Sequence, residues 1–357
     1  MKSSVARQAF LGVLGLAATS LFDACVSRGK SGALDEQRLT PGSQTLPQVV
    51  RFLAVGDINL GRSVGQKILE GDTLFPFALV ADTLSHFDVV FGNLESNLSD
   101  QHGETQDPVH NMVFTGPPAG AWSLSRAEIR VVSTANNHAL DYGVRAEKET
   151  MESLRAAGVS FAGTAEDSSK LDEPARITRN GIRLALFACT DIMNTSDTTW
   201  HRYVAWPDTE RIFSGIRQIR DSVDFIIVSY HGGDEYGNKP SGRSRAFMRS
   251  AISAGADLVL GHHPHVPYGI ERVNGRYIVQ SLGNFVFSQP FQYWTQRSFA
   301  FEGHILKDSS GTKLSEFYCR PVRCGVQPWF LSPGPEADSI YERIHMYSMS
   351  ELAEARR

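Results

Sequence analysis

Residues 224–265 read DFIIVSYHGGDEYGNKPSGRSRAFMRSAISAGADLVLGHHPH. Asp224–Tyr230 is a short apolar run of the length and composition of a buried strand. Ser241–Gly255 has helical spacing, and Asp257–Gly261 is a second buried strand. Strand, helix and strand in this order place the segment in the α/β class. Each strand ends in imidazole: His231 after the first, and His262, His263 and His265 after the second. In open α/β folds, ligands bind at the carboxyl ends of strands, so this stretch also indicates where a site lies.

The same alternation extends upstream. Val50–Gly56, Asp88–Leu94, Ile129–Thr134 and Ile182–Cys189 read as strands. Phe77–His86, Gly143–Ala157 (stopped by Gly158) and Asp208–Arg220 read as helices. Downstream the pattern changes to hairpins. Ile270–Val273 and Arg276–Ser281 flank an Asn-Gly turn, and Phe299–Lys307 and Thr312–Val322 flank Asp308–Gly311. The expectation is one mixed α/β domain over 49–330, followed by a helical tail over 331–357 that begins near Pro335. There is no internal repeat. Cys319 and Cys324 are close enough in sequence to form a disulfide in an oxidising compartment, or to stand as two free thiols.

Residues 1–25 have the order of an export signal: Lys2 and Arg7, then an apolar run from Ala9 to Phe22. That run is short of the ~20 residues that span a bilayer. Cys25 resembles the lipidated cysteine of a bacterial lipoprotein, with ordinary signal cleavage as the alternative. Residues 26–48 are polar and read as a flexible linker. The expected location is outside the cytoplasm, as a membrane-anchored lipoprotein or a periplasmic or extracellular protein. In the chain of 357 residues, 35 Lys and Arg stand against 39 Asp and Glu, a net charge of −4 with no basic stripe, which argues against a nucleic-acid partner. Hydrophobic residues at 41% exclude a disordered chain, and four Cys are too few for a disulfide framework.

Five segments deliver ligand-type residues to strand ends: Asp57 and Asn59; Asn93 and Glu95; Asn136, Asn137, His138 and Asp141; His231; and His262, His263 and His265. Carboxylate and amide oxygen mixed with imidazole nitrogen suit a divalent cation, with Mn, Fe or Zn unranked. Arg62, just past the first strand, suits an anionic substrate group or a surface ion pair. Asp234 and Glu235 are either groups that orient an imidazole or solvated loop residues.

GDINLGR, GNLES, ANNHALDYG, GTAED, YHGGDEY, GHHPHV and SLGNFVFSQ, in this order over about residues 50–290, resemble the bacterial poly-γ-glutamate capsule biosynthesis family (CapA-type). That family is similar in fold to the calcineurin-like metallophosphoesterases. The resemblance implies layered β-sheets flanked by helices, with the C-terminal hairpins added. It implies Asp57, Glu95, Asn137 and His231 as metal ligands, and His138, oriented by Asp141, as the group that protonates a leaving group. Asn59 stands where the pattern has a histidine. The last motif carries one residue extra, so which two of His262, His263 and His265 bind metal stays open, as does the choice between one ion and two. The implied function is an extracytoplasmic metal-dependent hydrolase acting on an anionic envelope polymer or another phosphate- or amide-containing substrate, beside capsule-synthesis machinery at the membrane. The alternatives are a non-catalytic polymer-binding component and a stand-alone phosphatase or phosphodiesterase.

Overall fold

A computed structural model describes residues 47–348. The expected export segment, nearly all of the linker and residues 349–357 lie outside the described residues.

The chain builds β1 (Gln48–Ile58), α1 (Arg62–Leu69), α2 (Ala81–Leu84), β2 (Val89–Leu94), the short β3 (Asn97–Leu98) and β4 (Thr115–Gly116), α3 (Gly120–Arg126), β5 (Ile129–Ser133), α4 (Gly143–Ala156) and β6 (Ser160–Ala162). There follow β7 (Ala175–Arg179), β8 (Ile182–Thr190), α5 (Thr209–Ile219), β9 (Phe225–His231), α6 (Gly242–Ala254), β10 (Leu258–His262), β11 (Ile270–Val273) and β12 (Arg276–Val279). The last part is β13 (Asn284–Val286), β14 (Arg297–Asp308), β15 (Gly311–Arg323), β16 (Trp329–Phe330) and α7 (Pro335–Tyr347). One sheet has the order β16-β15-β14-β1-β2-β5-β6, with β13 also paired to β1. The other has the order β11-β12-β10-β9-β8-β7.

The two sheets face each other between layers of helices. Side chains alternate along a strand, and β1 uses both faces. Phe52 and Ala54 join Phe91, Val131, Leu184, Ile227 and Leu260 in the core between the sheets. Leu53 and Val55 point the other way, onto Val64, Ile68, Leu84 and Leu124 from α1, α2 and α3. The second sheet covers its outer face with Ile212 and Ile216 of α5 and Phe247 and Met248 of α6. Each such apolar side chain contributes about 1.5–3 kcal/mol when buried. Strands covered on both faces therefore read as near-continuous apolar runs, and polar residues enter only where a strand leaves the core.

Parallel pairing decides where that happens. β1, β2, β5 and β6 run parallel, as do β8, β9, β10 and β12. Their carboxyl ends therefore gather at one edge. The register sets Asp57 opposite Asn93 and Asn284, and His231 opposite His262 and Thr190.

The hairpins form where expected. Asn274 and Gly275 both take positive φ (52° and 78°), as the two-residue turn between β11 and β12 requires. The helix expected over Phe77–His86 is instead a 3₁₀ turn, Phe75–Phe77, followed by the single turn α2. Pro76 opens the 3₁₀ turn, and the broken path still buries Phe77, Val80 and Leu84. Cys319 and Cys324 are both free. Cys319 lies on β15 and Cys324 just past its end, and they face opposite sides: Cys319 packs between the sheets and Cys324 under the outer helices. The disulfide alternative is thereby excluded in this fold.

Candidate metal centre

Two glycines let main chains approach closely where the ligand-bearing strands end. A Cβ on Gly56 would lie 1.9 Å from Gly283 O, and one on Gly261 would lie 2.1 Å from Gln280 O. No side chain fits at either position. The next residues, Asp57 and His262, are thereby drawn to one point: His262 Nδ1 lies 3.1 Å from Asp57 Oδ1.

Asp57, Glu95 and His231 are fully buried, and His262, His263, His265, Asn137 and His138 are nearly so. Asp57 Oδ1 also accepts from Asn93 Nδ2 at 2.9 Å. Burial opposes ionisation of Asp57, but the adjacent imidazoles of His262 and His265 outweigh it and hold the carboxyl well below its usual range. Glu95 has only a long hydrogen bond, from Asn93 Nδ2 to Oε2 at 3.5 Å. Burial, then the charges of Asp57, Glu235 and Asp141, push its carboxyl well up. Glu95 Oε1 lies 3.9 Å from His138 Nε2, 3.8 Å from His231 Nε2 and 3.8 Å from His265 Nε2. Three imidazoles thus face one carboxylate oxygen across gaps too long for hydrogen bonds.

His231 Nε2 lies 2.7 Å from Asn137 Oδ1, which brings an amide oxygen to the same place. Burial, then the neighbouring His263, keep His231 neutral. Burial likewise brings His263 down to about 3. His263 and His265 sit at positive φ, 94° and 59°, which non-glycine residues adopt only when the surroundings over-determine them. His265 Nδ1 is held by Asn284 Oδ1 at 2.9 Å.

Asp57 Oδ2, Glu95 Oε1, His262 Nε2 and His263 Nδ1 are buried with no hydrogen-bond partner among the described residues. A buried polar atom left alone is costly, more so when it can carry charge. These atoms belong to one cluster. Glu95, His231 and His263 offer ligand atoms within 4.8 Å of one another, and so do Asp57, Glu95 and His265. Neutral imidazoles and carboxylates at this spacing fit a divalent cation. His263 and His265 are the imidazoles of the last motif that join these groups. His262 places its Nδ1 on Asp57 and keeps its Nε2 without a partner among the described residues. Asn59 Oδ1 accepts from Gly61 N at 2.7 Å and closes the turn before α1.

His138 stands beside the cluster. Its Nδ1 lies 2.8 Å from Asp141 Oδ2, which assigns the Nδ1 proton to that bond and leaves Nε2 facing Glu95. Its ring stacks on Phe114 at 4.2 Å, and Phe114 N donates to the same Asp141 oxygen at 3.0 Å. Arg62, at φ 54°, lies over Phe114 (4.6 Å) and Phe287 (5.8 Å). Its Nη2 donates to Asn111 O at 3.0 Å, and its Nε is buried without a partner. Arg62 is thus tied to the loop above the centre and makes no ion pair among the described residues.

Two neighbours escaped the sequence reading. Asn194, in the long connection after β8, accepts from Asn137 Nδ2 at 3.1 Å and places its own Nδ2 3.3 Å from His138 Nδ1. Phe114 carries both the His138 and Arg62 contacts. Neither sits at a strand end or in an apolar period, so the sequence holds no signal for them.

The fold and centre define a two-sheet α/β protein with a carboxylate–imidazole–amide cluster suited to divalent metal. Residues 51–289 match the family described as bacterial capsule synthesis protein PGA_cap. The chain is 30% identical over 249 residues to the capsule biosynthesis protein CapA of Bacillus anthracis, covering 68% of this chain and 60% of that one. It is 32% identical over 263 residues to the PGA biosynthesis protein CapA of Bacillus subtilis (strain 168), covering 72% and 68%. Among solved structures it is similar to the calcineurin-like phosphoesterase YfkN of Bacillus subtilis, with 13% identity, 84% of this chain and 97% of that one covered, and a TM-score of 0.48. The chain belongs to the bacterial capsule synthesis protein family, of the CapA type. It spans 60% of the length of the Bacillus anthracis relative.

Proposed function

We propose that the protein is an exported, metal-dependent hydrolase that acts in the synthesis, export or remodelling of an anionic envelope polymer of the poly-γ-glutamate kind. The observation that carries this reading is the His138–Asp141 pair. Asp141 fixes the ring so that Nε2 faces the cluster, 3.9 Å from Glu95 Oε1. A centre that only bound polymer would have no use for an oriented imidazole with a free nitrogen at its edge.

Asp57, Glu95, Asn137, His231, His263 and His265 would hold the metal. When bound, a divalent ion supplies Lewis-acid polarisation and makes water a stronger nucleophile near neutral pH. The chain's own residues then divide the remaining work. Arg62 neutralises an anionic group of the substrate from the loop side, stiffened by the Phe114 and Phe287 rings. His138 takes up a proton from solvent at its free Nε2 and passes it to the leaving group, a contribution of about 10²–10⁴-fold. Asp141 stabilises the charged ring while that proton is held.

The second reading is a non-catalytic polymer-binding component of capsule assembly. It is favoured by the names of the relatives, which state biosynthesis. Incubating the metal-loaded protein with poly-γ-glutamate, and separately with phosphoesters, decides between them. Shortened polymer with released glutamate supports the proposal. Unchanged polymer that nevertheless binds supports the second reading, and phosphate release alone points to a phosphatase.

Export rests on residues 1–25, with Cys25 as the anchoring residue. Mass spectrometry of the mature amino terminus should find residues 1–24 removed and a diacylglyceryl group on Cys25. An intact Met1 on cytoplasmic protein would refute this.

A further inference from the structure

The loop after β9 reaches back over the centre. Asp57, Glu95 and His265, all buried, offer ligand atoms within 4.8 Å of one another. From the opposite side Glu235 brings Oε1 to 4.0 Å from His265 Nε2. Glu235, His263 and His265 offer ligand atoms within 4.8 Å of one another. His263 is 4% exposed, and its Nδ1 has no hydrogen-bond partner among the described residues.

The backbone fixes Glu235 on both flanks. Tyr268 donates its hydroxyl to Asp234 O at 3.3 Å, and Tyr236 N donates to Pro264 O at 2.9 Å, within the histidine loop itself. Tyr236 holds φ at 59°, and its ring stacks on His265 at 6.0 Å. A solvated loop acid would need none of this. The Glu235 side chain is 35% exposed, so it closes the centre on its open side.

We propose that Glu235 is a direct metal ligand that, with His263 and His265, holds a divalent cation on the solvent side of the centre. The inference rests on the metal-binding reading above and adds to it a donor that no strand end supplies.

The test uses the full-length protein stripped by chelator and titrated with Co²⁺ alone, followed by calorimetry and visible absorption, then repeated with Mn²⁺. Residues that merely orient a ligand cost about 10–100-fold in metal affinity when changed. Glu235→Ala should therefore weaken one binding event by more than about 100-fold and change the Co²⁺ absorption bands. Asp234→Ala, the adjacent exposed acid outside the cluster, should bind as wild type does. If Glu235→Ala fails to fold by circular dichroism, the isosteric Glu235→Gln carries the comparison. A smaller loss with an unchanged spectrum overturns the assignment while leaving the metal centre intact. Wild-type protein that takes up no Co²⁺ or Mn²⁺ overturns the centre and this ligand together.

Discussion

Glu147 offers a prediction that can be worked from the structure without any substrate. It lies on α4 and is 2% exposed, with Asn97 Nδ2 donating to its Oε2 at 3.0 Å. The same amide nitrogen reaches Ala139 O at 2.6 Å, and Asn97 Oδ1 accepts from Tyr142 N at 3.4 Å. Glu147 therefore supports the turn that carries His138 and Asp141. Burial pushes its carboxyl from 4.5 up to about 8, only partly offset by polar contacts with Thr164 and Asn97. An acid raised on folding holds its proton longer in the native state. Its contribution is full below pH 4.5 and is lost as pH rises through about 8. At 1.36 kcal/mol for each tenfold change, the loss at pH 7–8 is about 3–4 kcal/mol, an upper bound that local relaxation reduces. Glu147→Gln keeps the shape and an acceptor for Asn97 without the ionisation. Urea unfolding of both proteins from pH 5 to pH 8 should show similar stabilities at the acid end. The curves should diverge with rising pH, the variant becoming more stable by up to about 3–4 kcal/mol. Parallel curves over that range would show that Glu147 titrates normally and would refute the argument.

Gly56→Ala should destabilise the fold by more than the ~1–3 kcal/mol of ordinary overpacking, because its Cβ meets backbone 1.9 Å away. An unchanged melting temperature would contradict the close approach. Asp141→Asn should leave the metal content near normal yet lower any hydrolysis by about 10²-fold, since His138 loses the carboxylate that fixes its ring; loss of metal would mean that Asp141 supports the ligands instead. Cys189, Cys319 and Cys324 are free and buried, and burial pushes the last two up to about 12. None of the three should react with a thiol reagent until the protein is unfolded, and a peptide linking Cys319 to Cys324 would refute this.

The segments that were legible share one cause. β9 and β10 are covered on both sides and so are unbroken apolar runs, α6 buries one face at helical spacing, and the expected bounds of all three fall within one residue of those found. The hairpins were marked by Asn274-Gly275 and by the break at Asp308–Gly311. Elements that lean on neighbours were not legible. The helices α1 and α3 have eight and seven residues and no side-chain cap, and the edge strand β6 has three residues. The ligand-type residues at strand ends could be read because parallel strands expose their polar residues only there. Asn59 could not be placed that way, since a short amide serves a turn as readily as a cluster. His262 differs from His263 and His265 in ways only the fold shows: the strand register pairs it with His231, and its Nδ1 lies 3.1 Å from Asp57 Oδ1. The disulfide alternative for Cys319 and Cys324 could have been set aside from their odd spacing at the end of one strand.

The central claim is a metal centre with His138 beside it as a proton donor rather than a ligand. Metal content and polymer cleavage measured together on Asp57→Asn and His138→Ala test it most directly. Asp57→Asn should bind metal more weakly and lose activity with it. His138→Ala should keep the wild-type metal content while cleavage falls by about 10²–10⁴-fold. His138→Ala protein that comes out empty of metal, or fully loaded and as active as wild type, would contradict the account.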